Sequence, residues 1–284
     1  MRHYRRWIRN AIGEWIGVQG DMQIWWPPEM PIVYVSNPKA GCSTIKHSLK
    51  AAQADAYGRC GRAFERTNDP HVGDDCLRKD GLPPRACRQR YVISCVRNPY
   101  TRTLSGFLDK VNDPDTAVLP EFGYRRVNNF EAYLHALTKC EPRDTNAHFR
   151  AQHINLDYPK IAYDAIFYLE NLAPLTRFLS QVCPDFKLET KAPHARGASS
   201  KLTEHYTPRA IELVQEIYAG DFELFGYSRD LAEVGAAPGE MITASGLVST
   251  QTAQSLPQEP RHAMPGMAFE KALLFRRLVD MRLI

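Results

Sequence analysis

The sequence predicts an α/β protein in which a parallel sheet carries helices on both faces. Three short β-branched or aromatic runs, Ile32 to Val35, Tyr91 to Val96 and Ala165 to Leu169, read as buried strands. Helical spacing follows each of them directly, and strands alternating with helices favour parallel pairing. The chain has 284 residues, 44% hydrophobic and 24% charged, which is globular composition and enough length for a full core. Lys and Arg number 36 against 32 Asp and Glu, a net +4. That mild excess suits an anionic small ligand or slightly acidic partner and falls short of a nucleic-acid binder.

The first element is a helical pattern over Met1 to Val18, with Arg2, Arg5, Arg6 and Arg9 beside apolar Ile8, Ile12, Trp15 and Ile16. Glu14 interrupts the continuous apolar stretch that a signal peptide needs. The plain reading is a helix packed on the main domain; the sharper one is a basic amphipathic helix lying on an anionic membrane surface. Residues 1–30 form this arm, ended by Pro27, Pro28 and Pro31. The main domain is expected over 31–233. Beyond Gly41, Ile45, Leu49, Ala52 and Ala56 keep one helical face, and a second helix runs from Pro99 to about Val111. A third follows Leu169 to about Val182, and Thr207-Pro208 starts a fourth, with the hydroxyl as cap and proline in the first turn. Residues 234–265 turn to Ala, Gly, Ser, Thr, Gln and Pro and read as a flexible linker. Residues 266–284 regain helical spacing at Leu274, Leu278 and Met281, as a docking helix would.

Seven cysteines at wide spacing, with no C-x-x-C pair, argue against a structural zinc site and a secreted disulfide framework. A single bridge within the trio Cys60, Cys76 and Cys87 is compatible with the spacing. There is no run of about 18 apolar residues, and neither signal peptide nor membrane anchor is read, so the expected location is cytoplasmic, membrane-peripheral if the first helix docks. Oligomeric state is open, a homo-oligomer included.

Between the first strand and its helix lies Asn37-Pro38-Lys39-Ala40-Gly41-Cys42-Ser43-Thr44. Free N–H groups and the dipole at a helix N-terminus make an anion site there. Gly41 admits a ligand close to the backbone, Ser43 and Thr44 offer hydroxyls, and Lys39 offers charge. The lysine precedes the single glycine, so the G-x-x-x-x-G-K-[ST] triphosphate loop is absent. The plain alternative is a tight turn with Ser43 or Thr44 as helix cap. After the second strand comes Cys95-Val-Arg97-Asn-Pro99-Tyr-Thr-Arg102-Thr-Leu-Ser105. Arg97 emerges at the strand's carboxyl end, where open α/β sheets place ligands, and Ser105 lies two helical turns on. An arginine fork and a hydroxyl suit a second phosphate group.

Together these segments resemble the sulfotransferases that use 3′-phosphoadenosine 5′-phosphosulfate (PAPS). The loop is similar to the family's P-K-x-G-[CST]-[ST] phosphosulfate loop, and the strand-helix segment to its R-x-P-x-x-R-x-x-S motif for the 3′-phosphate. Gly41-Cys42 and Lys46 look most like the Golgi carbohydrate branch and its bacterial relatives. So do His148-Phe-Arg150-Ala-Gln152, Tyr163-Asp164 and the stretch from Tyr218 through Asp221 to Tyr227. The resemblance implies a P-loop-kinase-like sulfotransferase fold and sulfuryl transfer from PAPS to an acceptor hydroxyl, on a carbohydrate, without a metal. It assigns Lys39, Ala40, Gly41, Cys42, Ser43 and Thr44 to the 5′-phosphosulfate, and Arg97 and Ser105 to the 3′-phosphate. Lys39 would also neutralise the leaving phosphate, and His71 would be the general base, with His148, His153 or a carboxylate as the alternatives. Arg196, Ser199 and Lys201 resemble the segment that closes over the nucleotide. The competing readings are a nucleotide-dependent kinase on the same helix terminus, a non-catalytic module binding nucleotide or glycan, and a membrane-peripheral scaffold.

Overall fold

The computed structural model describes residues 22–57, 70–80, 90–111, 127, 129–161, 163–183, 186–189, 201–243 and 246–248. The arm helix, the docking helix, Arg196 and Ser199 lie outside these residues. Among the described residues seven strands form one sheet in the order β3-β1-β2-β4-β5-β6-β7. They are β1 (Gln23–Trp26), β2 (Ile32–Ser36), β3 (Arg78–Lys79), β4 (Tyr91–Val96), β5 (Ala165–Tyr168), β6 (Met241–Thr243) and β7 (Gly246–Val248). The three strands read from sequence, β2, β4 and β5, are the parallel centre, with Val33 opposite Val92 and Ser94 opposite Ile166. The outer strands are antiparallel to their neighbours.

Every residue of β2, β4 and β5 is buried, as expected of strands covered on both faces. Val33, Val35, Val92, Val96, Ile166 and Tyr168 face one core, and Ile32, Tyr34, Ile93, Cys95 and Phe167 the other. Helices α1 (Cys42–Tyr57) and α5 (Ala173–Val182) cover the second face through Ile45, Leu49, Leu175 and Phe178. The first face takes α2 (Pro99–Lys110), α3 (Phe130–Leu137), α7 (Pro208–Ile217) and α8 (Ala219–Phe225), packed through aromatic rings such as Phe107 and Phe130, 5.3 Å apart. Two shorter helices among the described residues are α4 (Gln152–Asn155) and α6 (Leu202–His205). Thr207 caps α7 by accepting the Ala210 N–H, and Asn98 caps α2 by accepting that of Tyr100.

Strands occur where loops were expected. β1 lies in the proline-bounded end of the arm, and β6 and β7 in the stretch read as linker. The proline cluster beside β1 and the Ala-, Gly-, Ser- and Thr-rich surroundings of β6 and β7 hide these short runs, and each is stabilised by pairing to a neighbour already in the sheet. Of the cysteine trio, Cys76 is disulfide-bonded, its partner lying outside the described residues, while Cys42, Cys95, Cys140 and Cys183 are free thiols.

Arg102, 1% exposed, fastens the first helix layer. Its Nε donates to the Pro38 carbonyl at 3.0 Å, and its two terminal nitrogens to the carbonyls of Arg150 (2.9 Å) and Ala147 (3.1 Å). Arg102→Met leaves three carbonyls without this donor. It is expected to lower unfolding free energy by about 3 kcal/mol, read as a lower urea midpoint with an unchanged slope.

Candidate active site

Because β2, β4 and β5 run parallel, their carboxyl ends share one edge, and the loops after all three meet there. The Lys39 carbonyl accepts from an Arg97 terminal nitrogen at 3.3 Å. Glu170, just past β5, accepts the backbone N–H of Asn98 at 2.8 Å. Gly41 sits against Leu169 so closely that a Cβ would lie 2.6 Å from its Cδ1. Gly41 also has φ +73°, so its lack of a side chain serves both the conformation and the approach. Lys39 is left-handed too, at φ 68°, which costs a non-glycine residue about 1–2 kcal/mol and aims its side chain across the site.

The expected loop residues divide by role. Cys42 opens α1 and its thiol is packed in the core, so it offers only backbone. The helix begins before Ser43 and Thr44, which therefore sit within its first turn and do not precede it as caps. The Ala40 N–H already donates to the Asn37 carbonyl at 3.3 Å.

Along α2, Thr101, Ser105 and Asp109 recur every four residues and form one row. Arg97 enters the row by donating from Nε to Thr101 Oγ1 at 2.9 Å. Lys39 spans it, since its carbonyl meets Arg97 and its ammonium lies 3.1 Å from Asp109 Oδ2. Ser105 is buried, and neither its hydroxyl nor the Arg97 Nη2 makes a hydrogen bond to a described residue. Burial disfavours the charge on Arg97 and lowers its pKa, and the nearby Glu170 carboxylate offsets only part of that penalty. Glu170 is itself pushed up by burial, against the Asn98 N–H and the Tyr227 hydroxyl it accepts at 2.9 Å.

His71 comes from a segment far along the chain and lands on the loop. Its Nε2 is 3.2 Å from Ser43 Oγ, and its Nδ1 is 2.8 Å from Lys46 Nζ. An ammonium only donates, so with Lys46 charged Nδ1 accepts and Nε2 carries the ring proton toward Ser43. Lys46 is fully buried, 4.3 Å from the centroid of the Trp25 ring. One helical turn on, Lys50 binds Asp74 Oδ2 at 2.7 Å and donates to the Val72 carbonyl at 2.7 Å. Asp74 in turn accepts the N–H groups of Cys76 and Leu77. The exposed imidazole is thus carried on a segment pinned by two lysines of α1.

The other two histidines are placed differently. His148 is held at a pKa of about 3, first by burial and then by the charges of Lys110, Lys39 and Arg102, so it is neutral at pH 7. His153 sets Nδ1 2.7 Å from the buried Asp221 carboxylate. Lys201 is exposed, at the residue before α6. Among the described residues no group of His, Cys, Asp or Glu is arranged to hold a metal ion, and no helix is long and apolar enough to cross a membrane.

The model of the Sulfotransferase family matches residues 22–228, from β1 to just past α8. The chain belongs to the sulfotransferase family. Comparison with curated proteins and with solved structures gave no match. Within this sulfotransferase, the residues that sequence motifs did not assign are Asp109, Glu170 and the pair Gln152 and Asn37. Asp109 was available from the four-residue period of the α2 row, and Glu170 from its place just beyond the third strand. The amide pair lay inside quoted motif segments without a role, because its role depends on a contact between residues more than a hundred positions apart.

Burial raises the Asp109 carboxyl, but Lys39 and Lys110, each 3.1 Å away, outweigh it and hold the group at about 2. A carboxyl depressed on folding stabilises above its unfolded value of about 3.9, and the gain is lost as pH falls through about 2. Asp109→Asn should therefore lower the urea midpoint at pH 6, and the difference from the parent should close between about pH 4 and pH 2.

Proposed function

We propose that this sulfotransferase moves a sulfuryl group from PAPS to the hydroxyl of a carbohydrate acceptor, with His71 as general base. The observation that carries the reading is the landing of His71 on Ser43, which brings an imidazole to the loop suited to the phosphosulfate. The residues fit the donor. The N–H groups from Gly41 to Thr44 lie at the start of α1. Arg97 Nη2 and the Ser105 hydroxyl, both without a described partner, suit the 3′-phosphate.

In the reaction the bridging oxygen gains charge as the sulfur–oxygen bond to the phosphate breaks, and the sulfuryl group passes in line to the acceptor oxygen. A loose transfer of this kind depends on positioning and charge stabilisation. Lys39 leaves Asp109 to neutralise the bridging oxygen. The acceptor hydroxyl gives its proton to the unprotonated ring nitrogen of His71 as its oxygen attacks the sulfur. His148, neutral and held at about 3, is too weak a base to compete near pH 7.

Thermal stabilisation by adenosine 3′,5′-bisphosphate tests the donor. At 100 times its dissociation constant a ligand adds about 2.7 kcal/mol, and the bisphosphate should stabilise where ADP and ATP do so less. Equal or greater stabilisation by ATP would favour a kinase. For the base, His71→Ala should lower turnover about 10²-fold or more with bisphosphate binding intact, whereas Arg97→Ala should weaken that binding. Near-normal turnover in His71→Ala would remove the base assignment, and an unchanged rate in Lys39→Ala would remove the leaving-group role.

A further inference from the structure

Gln152 opens the short helix α4 and is fully buried between the two loops read as phosphate sites. Its Oε1 accepts from Asn37 Nδ2 at 2.9 Å and from the Arg97 backbone N–H at 2.9 Å. Its Nε2 donates to the Arg97 carbonyl at 2.8 Å. The N–H and C=O of one residue fix the orientation of the amide, so it cannot turn over without losing both. Asn37 is the first residue of the loop carrying Lys39 and Gly41, and its amide also donates to the Cys95 carbonyl at 3.1 Å, at the end of β4. A single side chain from a third element thereby bonds the start of one loop and both main-chain groups at the start of the other.

Gln152 is in turn fixed from behind. Asp221, fully buried on α8, accepts the backbone N–H of Gln152 at 2.8 Å and that of His153 at 2.9 Å, and takes His153 Nδ1 at 2.7 Å. These contacts satisfy donors at the start of α4 with a carboxylate, which is the favourable charge for a helix N-terminus. Gly220 leaves room for the imidazole, since a Cβ there would come within 2.7 Å of the ring.

We infer that Gln152 is a positioning residue that sets the spacing of the two phosphate loops, and through it the preference for a nucleotide carrying both 3′- and 5′-groups. The inference rests on the donor reading above. Its mechanism is main-chain: with Arg97 tied at both N–H and C=O, the guanidinium starts from a fixed point relative to the loop of Lys39. Without Gln152 the Asn37 end keeps its bond to Cys95, while Arg97 loses both of these main-chain ties. The 3′-phosphate contact is therefore the one that loosens.

The test compares two ligands by calorimetry on the full chain, adenosine 3′,5′-bisphosphate and adenosine 5′-phosphosulfate, which lacks the 3′-phosphate. The parent should prefer the bisphosphate. In Gln152→Met, bisphosphate affinity should fall tenfold or more and 5′-phosphosulfate affinity by less than threefold. Gln152→Glu keeps both acceptor contacts and, when ionised, gives up only the donor to Arg97, so its affinity ratio should fall between the two. It also supplies the answer if the methionine variant does not fold. An unchanged ratio in a folded variant, or equal weakening of both ligands alongside a lower melting temperature, overturns the inference and leaves the donor reading intact. A parent that does not prefer the bisphosphate overturns both.

Discussion

Parallel pairing of β2, β4 and β5 brings three chain reversals to one sheet edge, and each reversal releases backbone donors and acceptors that no ladder can take. Such groups must find partners when they are buried. Here the partners are side chains from distant elements: Gln152 for Arg97, Glu170 for Asn98, and Arg102 for Pro38. The site depends on this polar framework, because the loops that would face a nucleotide have few regular hydrogen bonds of their own. The motif residues around Arg150, Gln152, Tyr163 and Tyr218 belong to the same framework. Tyr218 donates to the Phe149 carbonyl at 2.7 Å and Tyr163 to that of Leu156 at 2.8 Å.

Cations in the site are matched by acids. Lys39 lies against Asp109, Arg97 faces Glu170, and Lys50 binds Asp74. Burying an isolated charge is costly, so these carboxylates let basic side chains stand in a poorly solvated place before any anion arrives. They also compete with it. A phosphate or sulfate must interact more favourably than the carboxylate it replaces, which favours groups carrying more charge and more acceptor oxygens than a carboxylate.

The centre of the fold was legible because β2, β4 and β5 are continuous β-branched or aromatic runs followed by helical spacing, and α1, α2, α5 and α7 show clear helical faces. Strands β1, β6 and β7 were not, since β1 abuts the proline cluster that ends the arm and β6 and β7 lie in a stretch rich in Ala, Gly, Ser and Thr, so each takes its stability from its neighbour more than from its own pattern. The same division holds in the site. Lys39, Gly41, Arg97 and Ser105 lie in contiguous motifs whose spacing has a local meaning, and the structure brings both motifs to one edge. Asn37 and Gln152 are 115 positions apart, and only the folded topology joins them. His71 is intermediate: its residue type suggested a role, but its position on Ser43 follows from the Lys46 and Lys50 contacts of α1.

The covalent tie at Cys76 lies five residues beyond His71, on the segment that Lys50 and Asp74 also pin. A disulfide lasts where the surroundings are oxidising and is opened by the thiol pools of a reducing cell interior. In the first setting the imidazole is carried on a segment fastened by a bond and by charge. In the second, the buried Lys50–Asp74 pair and hydrogen bonds alone would fasten it. The geometry around this imidazole, its contact with Ser43 included, is therefore coupled to the redox state of its surroundings.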